Sequence, residues 1–76
     1  MKVTVSINLG GYAFTIDEDA YEALQEYIRS LEREFEGEES AREIISDIES
    51  RLAELFRQKL NNYKQVITID DVRAAE

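Results

Sequence analysis

The run Ile7-Asn8-Leu9-Gly10-Gly11-Tyr12-Ala13-Phe14-Thr15-Ile16-Asp17 constrains this chain more than any other stretch. Val3, Val5, Ile7 and Leu9 alternate with Lys2, Thr4, Ser6 and Asn8, the period-2 pattern of a strand with one buried face. Gly10-Gly11 then supplies the positive φ values that a two-residue primed turn needs. With that loop Leu9 lies opposite Tyr12, Ile7 opposite Phe14 and Val5 opposite Ile16, all on one face. The register is over-determined. The opposite face (Thr4, Ser6, Asn8, Ala13, Thr15) is small and mostly polar, so it can face water.

A helix follows at once. Asp17 can cap it, with Ile16 and Tyr21 in the two positions of a hydrophobic staple; Thr15 with Glu18 offers a competing capping box two residues earlier. In either case Asp17, Glu18 and Asp19 lie near the positive end of the helix dipole. Tyr21, Leu24, Ile28, Leu31 and Phe35 recur at spacings of 3, 4, 3 and 4, one apolar stripe that Tyr27 widens and Gly37 ends. Ser40 with Glu43 predicts a second capping box. The helix it opens carries Ile44, Ile45, Ile48, Leu52, Leu55, Phe56 and Leu60 on one side, with Asp47 and Arg51 as a favourable acid-first pair on the other. A link of about three residues predicts an antiparallel helical hairpin.

Asn61-Asn62 breaks the helical pattern. Gln65-Val66-Ile67 reads as a short third strand and Thr68-Ile69-Asp70-Asp71 as another helix start, echoing Thr15-Ile16-Asp17-Glu18. Only Val72 to Glu76 is left for that third helix, too short to stand alone. The predicted fold is therefore α+β: a small two-layer β-β-α-α-β-α domain spanning 1–76. The N-terminal hairpin and third strand pack on the antiparallel helix pair. The short last helix suggests a piece cut from a longer protein.

Seventy-six residues make one small domain, near the lower limit for a self-sufficient core. No apolar run approaches membrane-spanning length and Met1 is not followed by a signal-peptide core, so the expectation is a soluble, cytoplasmic domain. The net charge of −8 is concentrated: residues 17–39 hold ten acids against Arg29 and Arg33, while the remaining acids and bases cancel. A field of that sign repels phosphate backbones, which argues against nucleic acid as a partner. It would suit a basic partner, but an acidic run is more simply a solvated helix face.

The chain has no cysteine and no histidine, which excludes disulfides and thiolate metal sites and removes the commonest general base. Ser6, Ser30, Ser40, Ser46 and Ser50 have no imidazole to activate them. Gly10-Gly11 lacks the lysine and further glycines of a phosphate loop and joins strand to strand. Asp17-Glu18-Asp19 lacks the alternating ligands, central glycine and terminal glutamate of a calcium loop, and helix-cap electrostatics account for it. Asp47 and Glu54 share a helix face without forming an acid–base pair. Tyr12, Tyr21 and Tyr27 read as core or rim aromatics. Tyr63, before the third strand, reads as partly buried, with a contact role as the alternative. No catalytic residue, cofactor-binding residue or metal ligand is predicted, and no enzyme activity.

Two blocks, Ile7 to Tyr21 and Glu43 to Phe56, together with Val66-Ile67-Thr68-Ile69-Asp70-Asp71-Val72, resemble the N-terminal region of bacterial membrane proteins that carry a PspC (phage-shock-protein-C) domain. The resemblance implies a cytoplasmic domain followed by a PspC domain and a transmembrane segment, linked to envelope stress. Membrane contact would then come only through that downstream part. The expected role is a non-enzymatic interaction or regulatory module that docks a protein partner or itself through a strand edge or helix face. The uncapped core at the end of the third helix could also be completed by the region that follows. The rival expectations are a carboxylate-based divalent-cation module using residues 17–39, and a purely structural spacer.

Overall fold

A computed structural model describes residues 3–76. Strands β1 (Thr4–Leu9) and β2 (Tyr12–Asp17) lead into helices α1 (Glu18–Glu34), α2 (Ala41–Lys59) and α3 (Ile69–Ala75), an α+β arrangement. The strands are antiparallel, with Leu9 opposite Tyr12, Ile7 opposite Phe14 and Val5 opposite Ile16, the register that the two-residue loop demands. Gly10 and Gly11 both have positive φ, +57° and +86°, as a type I′ turn requires. Gly10 is needed for a second reason. A Cβ there would lie 2.9 Å from the Ala53 Cβ and 3.1 Å from the Ser50 Cα, so the turn rests directly on α2.

The core forms where the hairpin meets the helices. Ile16, Phe56, Ile67 and Val72 are fully buried, and Leu9, Phe14, Ala20, Leu24, Leu52 and Ala53 complete one contiguous cluster. Phe14 and Phe56 meet edge to face, centroids 5.9 Å apart and ring planes 89° apart, the geometry their quadrupoles prefer. The outer face of the hairpin (Thr4, Ser6, Asn8, Ala13, Thr15) is exposed. Among the described residues, no helix is long and apolar enough to cross a membrane.

The expected third strand shrinks to a single parallel bridge, Ile16 with Ile67, and the sheet has two strands. The Ile67 N–H donates to the Thr15 carbonyl and the Asp17 N–H to the Ile67 carbonyl, both at 2.9 Å. The ladder ends there because the chain is committed on both sides. Asn61 Oδ1 accepts from the N–H groups of Tyr63 (2.7 Å) and Lys64 (3.0 Å), curling residues 61–64 into a turn. Beyond the bridge α3 starts at Ile69, earlier than the sequence pattern suggests. Thr68 and Asp71 form a full capping box there: Asp71 Oδ2 accepts from the Thr68 N–H (3.0 Å) and Thr68 Oγ1 from the Asp71 N–H (3.4 Å).

The second helix start departs from expectation. Ser40 is the N-cap of α2, but its side chain makes no cap hydrogen bond, so the predicted box with Glu43 does not form. Its backbone lies at φ −96°, ψ 13° rather than in the extended region from which an N-cap hydroxyl reaches the third N–H. Thr68, at φ −104°, ψ 167°, is extended and caps. The link is also longer than expected, residues 35–40, because α1 ends at Glu34 and Gly37, at φ +86°, turns the chain beyond it.

A candidate docking surface on the edge of β1

The hydrogen bonds to Ile67 fix which main-chain groups of the hairpin point outward. Thr15 and Asp17 direct theirs at Ile67, away from β1. Their cross-strand partners, Ser6 and Thr4, therefore point away from β2, because the two residues of a non-hydrogen-bonded antiparallel pair face opposite edges. Asn8, opposite Ala13, continues that row. Among the described residues, no strand pairs with this edge and no main-chain bond reaches it. β1 is thus an open edge six residues long.

Such an edge is normally blunted by lysine, proline or a bulge, because unpaired N–H and C=O groups template pairing with other chains. From Val3 to Tyr12 the sequence has neither a charge nor a proline. Beside the edge lies a groove of about 350 Å³, formed by Ser6, Ile7, Asn8 and Leu9 on one side, Tyr21, Leu24, Gln25 and Ile28 of α1 below, and Glu49 of α2 at one end. Gln25 Nε2 donates to the Tyr21 hydroxyl at 2.6 Å, so the two polar tips along α1 satisfy each other. Glu49 is the one charged residue in that lining. A third of the residues in this chain are charged, so so neutral a strip stands out from its surroundings.

The acidic residues do not assemble into a site. Glu18, and Asp19 beside it, are exposed at the start of α1, and Asp19 Oδ1 accepts from the neighbouring Ala20 N–H at 2.8 Å. Asp17 is buried as the N-cap residue. Among the described residues, no group of three or more Asp and Glu side chains is placed to hold a metal ion. Asp47 and Glu54 lie exposed on α2. A cavity of about 570 Å³ between α1 and α3 mixes Arg29, Arg33 and Arg73 with Glu26 and Glu76 and presents no single sign of charge.

Two aromatic residues reach the surface. Tyr63 is 100% exposed, against the expectation of partial burial: the turn built on Asn61 lifts it off the body. Tyr12 occupies the rim, 47% exposed, with the Arg57 guanidinium 4.3 Å from its ring centroid. Asp71 has a structural role. Asp71, 7% exposed, is ion-paired to Lys64 at 2.7 Å. Burial pushes its carboxyl up, but the bond from Lys64 and the Thr68 bonds outweigh it and hold the pKa below the ordinary value.

The sequence pointed to a strand edge or a helix face as the docking element without saying which. The missing information was the Ile16–Ile67 bridge, which engages the β2 edge at Thr15 and Asp17 and leaves β1 without such a bond. Comparison with family models, curated proteins and solved structures finds no match to this chain.

Proposed function

We propose that this domain is a non-enzymatic interaction and regulatory module that works by docking a protein partner or a second copy of itself. We also propose, from its resemblance to that family alone, that it belongs to a PspC-type envelope-stress membrane protein and sits on the cytoplasmic side. The observation that carries the docking reading is the uncharged, unpaired β1 edge beside the groove of Tyr21, Leu24, Gln25 and Ile28. Strand addition at such an edge draws affinity from main-chain hydrogen bonds and selectivity from pockets for alternate side chains.

The test pairs light scattering over a concentration series with selection from a library of displayed extended peptides. A docking module either self-associates or enriches peptides, and the β1 amides shift in both cases. A structural spacer does neither. A domain that stays monomeric and enriches no peptide rules the docking reading out.

A further inference from the structure

We infer that the occupant of the β1 edge is a second copy of the same edge, so that two hairpins join into one four-stranded antiparallel sheet. This rests on the docking reading and makes it specific.

The outward main-chain groups belong to Thr4, Ser6 and Asn8, spaced symmetrically about Ser6. Running a second β1 antiparallel with the two-fold axis at Ser6 sets Thr4 of each copy against Asn8 of the other, and Ser6 against Ser6. Every pair in that register matches outward groups with outward groups, which gives a ladder of about six main-chain hydrogen bonds. The same register places Val5 opposite Ile7 and keeps the apolar face continuous across the axis. Val5 and Ile7 are only half-buried in the single chain, and Val3 is 60% exposed, so this row has surface left to lose.

Charge permits self-contact at this edge. A chain of net charge −8 repels its own copy, most strongly through residues 17–39. From Val3 to Tyr12 there is no charge to repel, and the groove below adds only Glu49. A two-fold edge pairing is also self-closing, so it ends at a dimer.

The experiment is sedimentation or light scattering of the native domain over a concentration series, with amide exchange read at Thr4, Ser6 and Asn8. The mass should climb from 8.8 kDa toward twice that value. Exchange at these three amides should slow by roughly tenfold or more as dimer forms, because their N–H groups bond only across the axis. Ser6→Pro should hold the domain monomeric without removing any hydrogen bond inside the hairpin. Charge variants at the same position settle the register without a proline in the strand. Ser6→Lys and Ser6→Glu, each folded by circular dichroism, should each weaken association by roughly tenfold, since like charges meet at the axis. Mixing the two in equal amounts should restore it.

Association that survives all three substitutions overturns the β1 pairing, as does a mixture that fails to recover. A native domain that stays monomeric yet still enriches extended peptides overturns the second copy as occupant and leaves the docking reading standing. A monomer that enriches none removes both.

Discussion

The two ends of the molecule are held together to very different degrees. At the base, the hairpin, the Ile67 bridge, α3 and the near halves of α1 and α2 converge on one core that contains every fully buried side chain. At the tip, from Gln25 around the link to Arg51, Leu31 is the only buried residue, and Phe35, Ile44, Ile45 and Ile48 remain half-exposed. The helical stripes are equally apolar at both ends. What differs is the number of elements that meet. A helix pair can shield one side of each helix, and a third and fourth element are needed to close a core around it. Stability in this fold should therefore reside at the base, with the tip opening locally first.

Substitutions at the two ends provide the largest contrast. Phe56→Ala removes a fully buried ring and its contact with Phe14, a loss of about 3–5 kcal/mol. A domain this size holds about 4–11 kcal/mol in all, so the variant should be largely unfolded or close to it at room temperature. Ile44→Ala, at the tip, should cost about 1 kcal/mol or less. Urea midpoints of the two variants measure the difference, and equal losses would mean the tip is as tightly packed as the base.

Next in size comes the contact between the turn and α2. Gly10→Ala suffers twice, from a side chain at φ +57° and from a Cβ 2.9 Å from that of Ala53. Gly11→Ala suffers only from its φ of +86°, since nothing lies within 4 Å of the added atom. The strain common to both is about 1–2 kcal/mol, and Gly10→Ala should exceed Gly11→Ala by at least another ~1 kcal/mol for overpacking. Equal melting temperatures for the two variants would place the turn away from α2.

Asp71 ties the 61–64 turn to α3 at the base, and its contribution depends on pH. Its folded pKa is depressed, so the stabilisation is present above the ordinary aspartate range near pH 3.9 and disappears as pH falls through the lower folded value. Asp71→Asn keeps an acceptor for the Thr68 N–H but loses the ion pair with Lys64. At neutral pH it should cost about 1 kcal/mol, or about 4–8 °C in Tm for a domain of this length. Melting curves of the two proteins should draw together as pH falls below about 4. A gap that stays constant with pH would show that the charge of Asp71 contributes nothing.

The hairpin was legible down to its pairing because period-2 alternation and a two-glycine loop are local signals that agree with each other. The apolar stripe of α1 was legible for the same reason. What could not be read lies in contacts distant in sequence. Ala53 belongs to no apolar stripe by size, yet it is fully buried because the Gly10 turn sits on it. The echo between residues 15–18 and 68–71 is real but offset. The structure aligns Ile16 with Ile67 and puts the N-cap positions of the following helices at Asp17 and Thr68, of which only Thr68 makes the side-chain cap bond, so the matching isoleucine is the one before the N-cap. The candidate surface was the least legible, because an open edge is defined by what fails to pair with it.

The smallest expected effect tests whether a capping sequence caps. Ser40-x-x-Glu43 and Thr68-x-x-Asp71 look alike as patterns, and the second is the poorer match because aspartate is shorter than glutamate. The folded chain inverts that ranking. Thr68 is held extended by the bridge at Ile67 just before it, so its hydroxyl and the Asp71 carboxylate meet the main chain they face. Ser40 follows the turn at Gly37, and no neighbouring strand pulls it into the extended region. Thr68→Ala should therefore cost about 1 kcal/mol, and Ser40→Ala only a few tenths. Chemical denaturation of both variants resolves the two values. A loss at Ser40 as large as that at Thr68 would mean that the α2 cap closes in solution and that the tip is more ordered than its sparse burial implies.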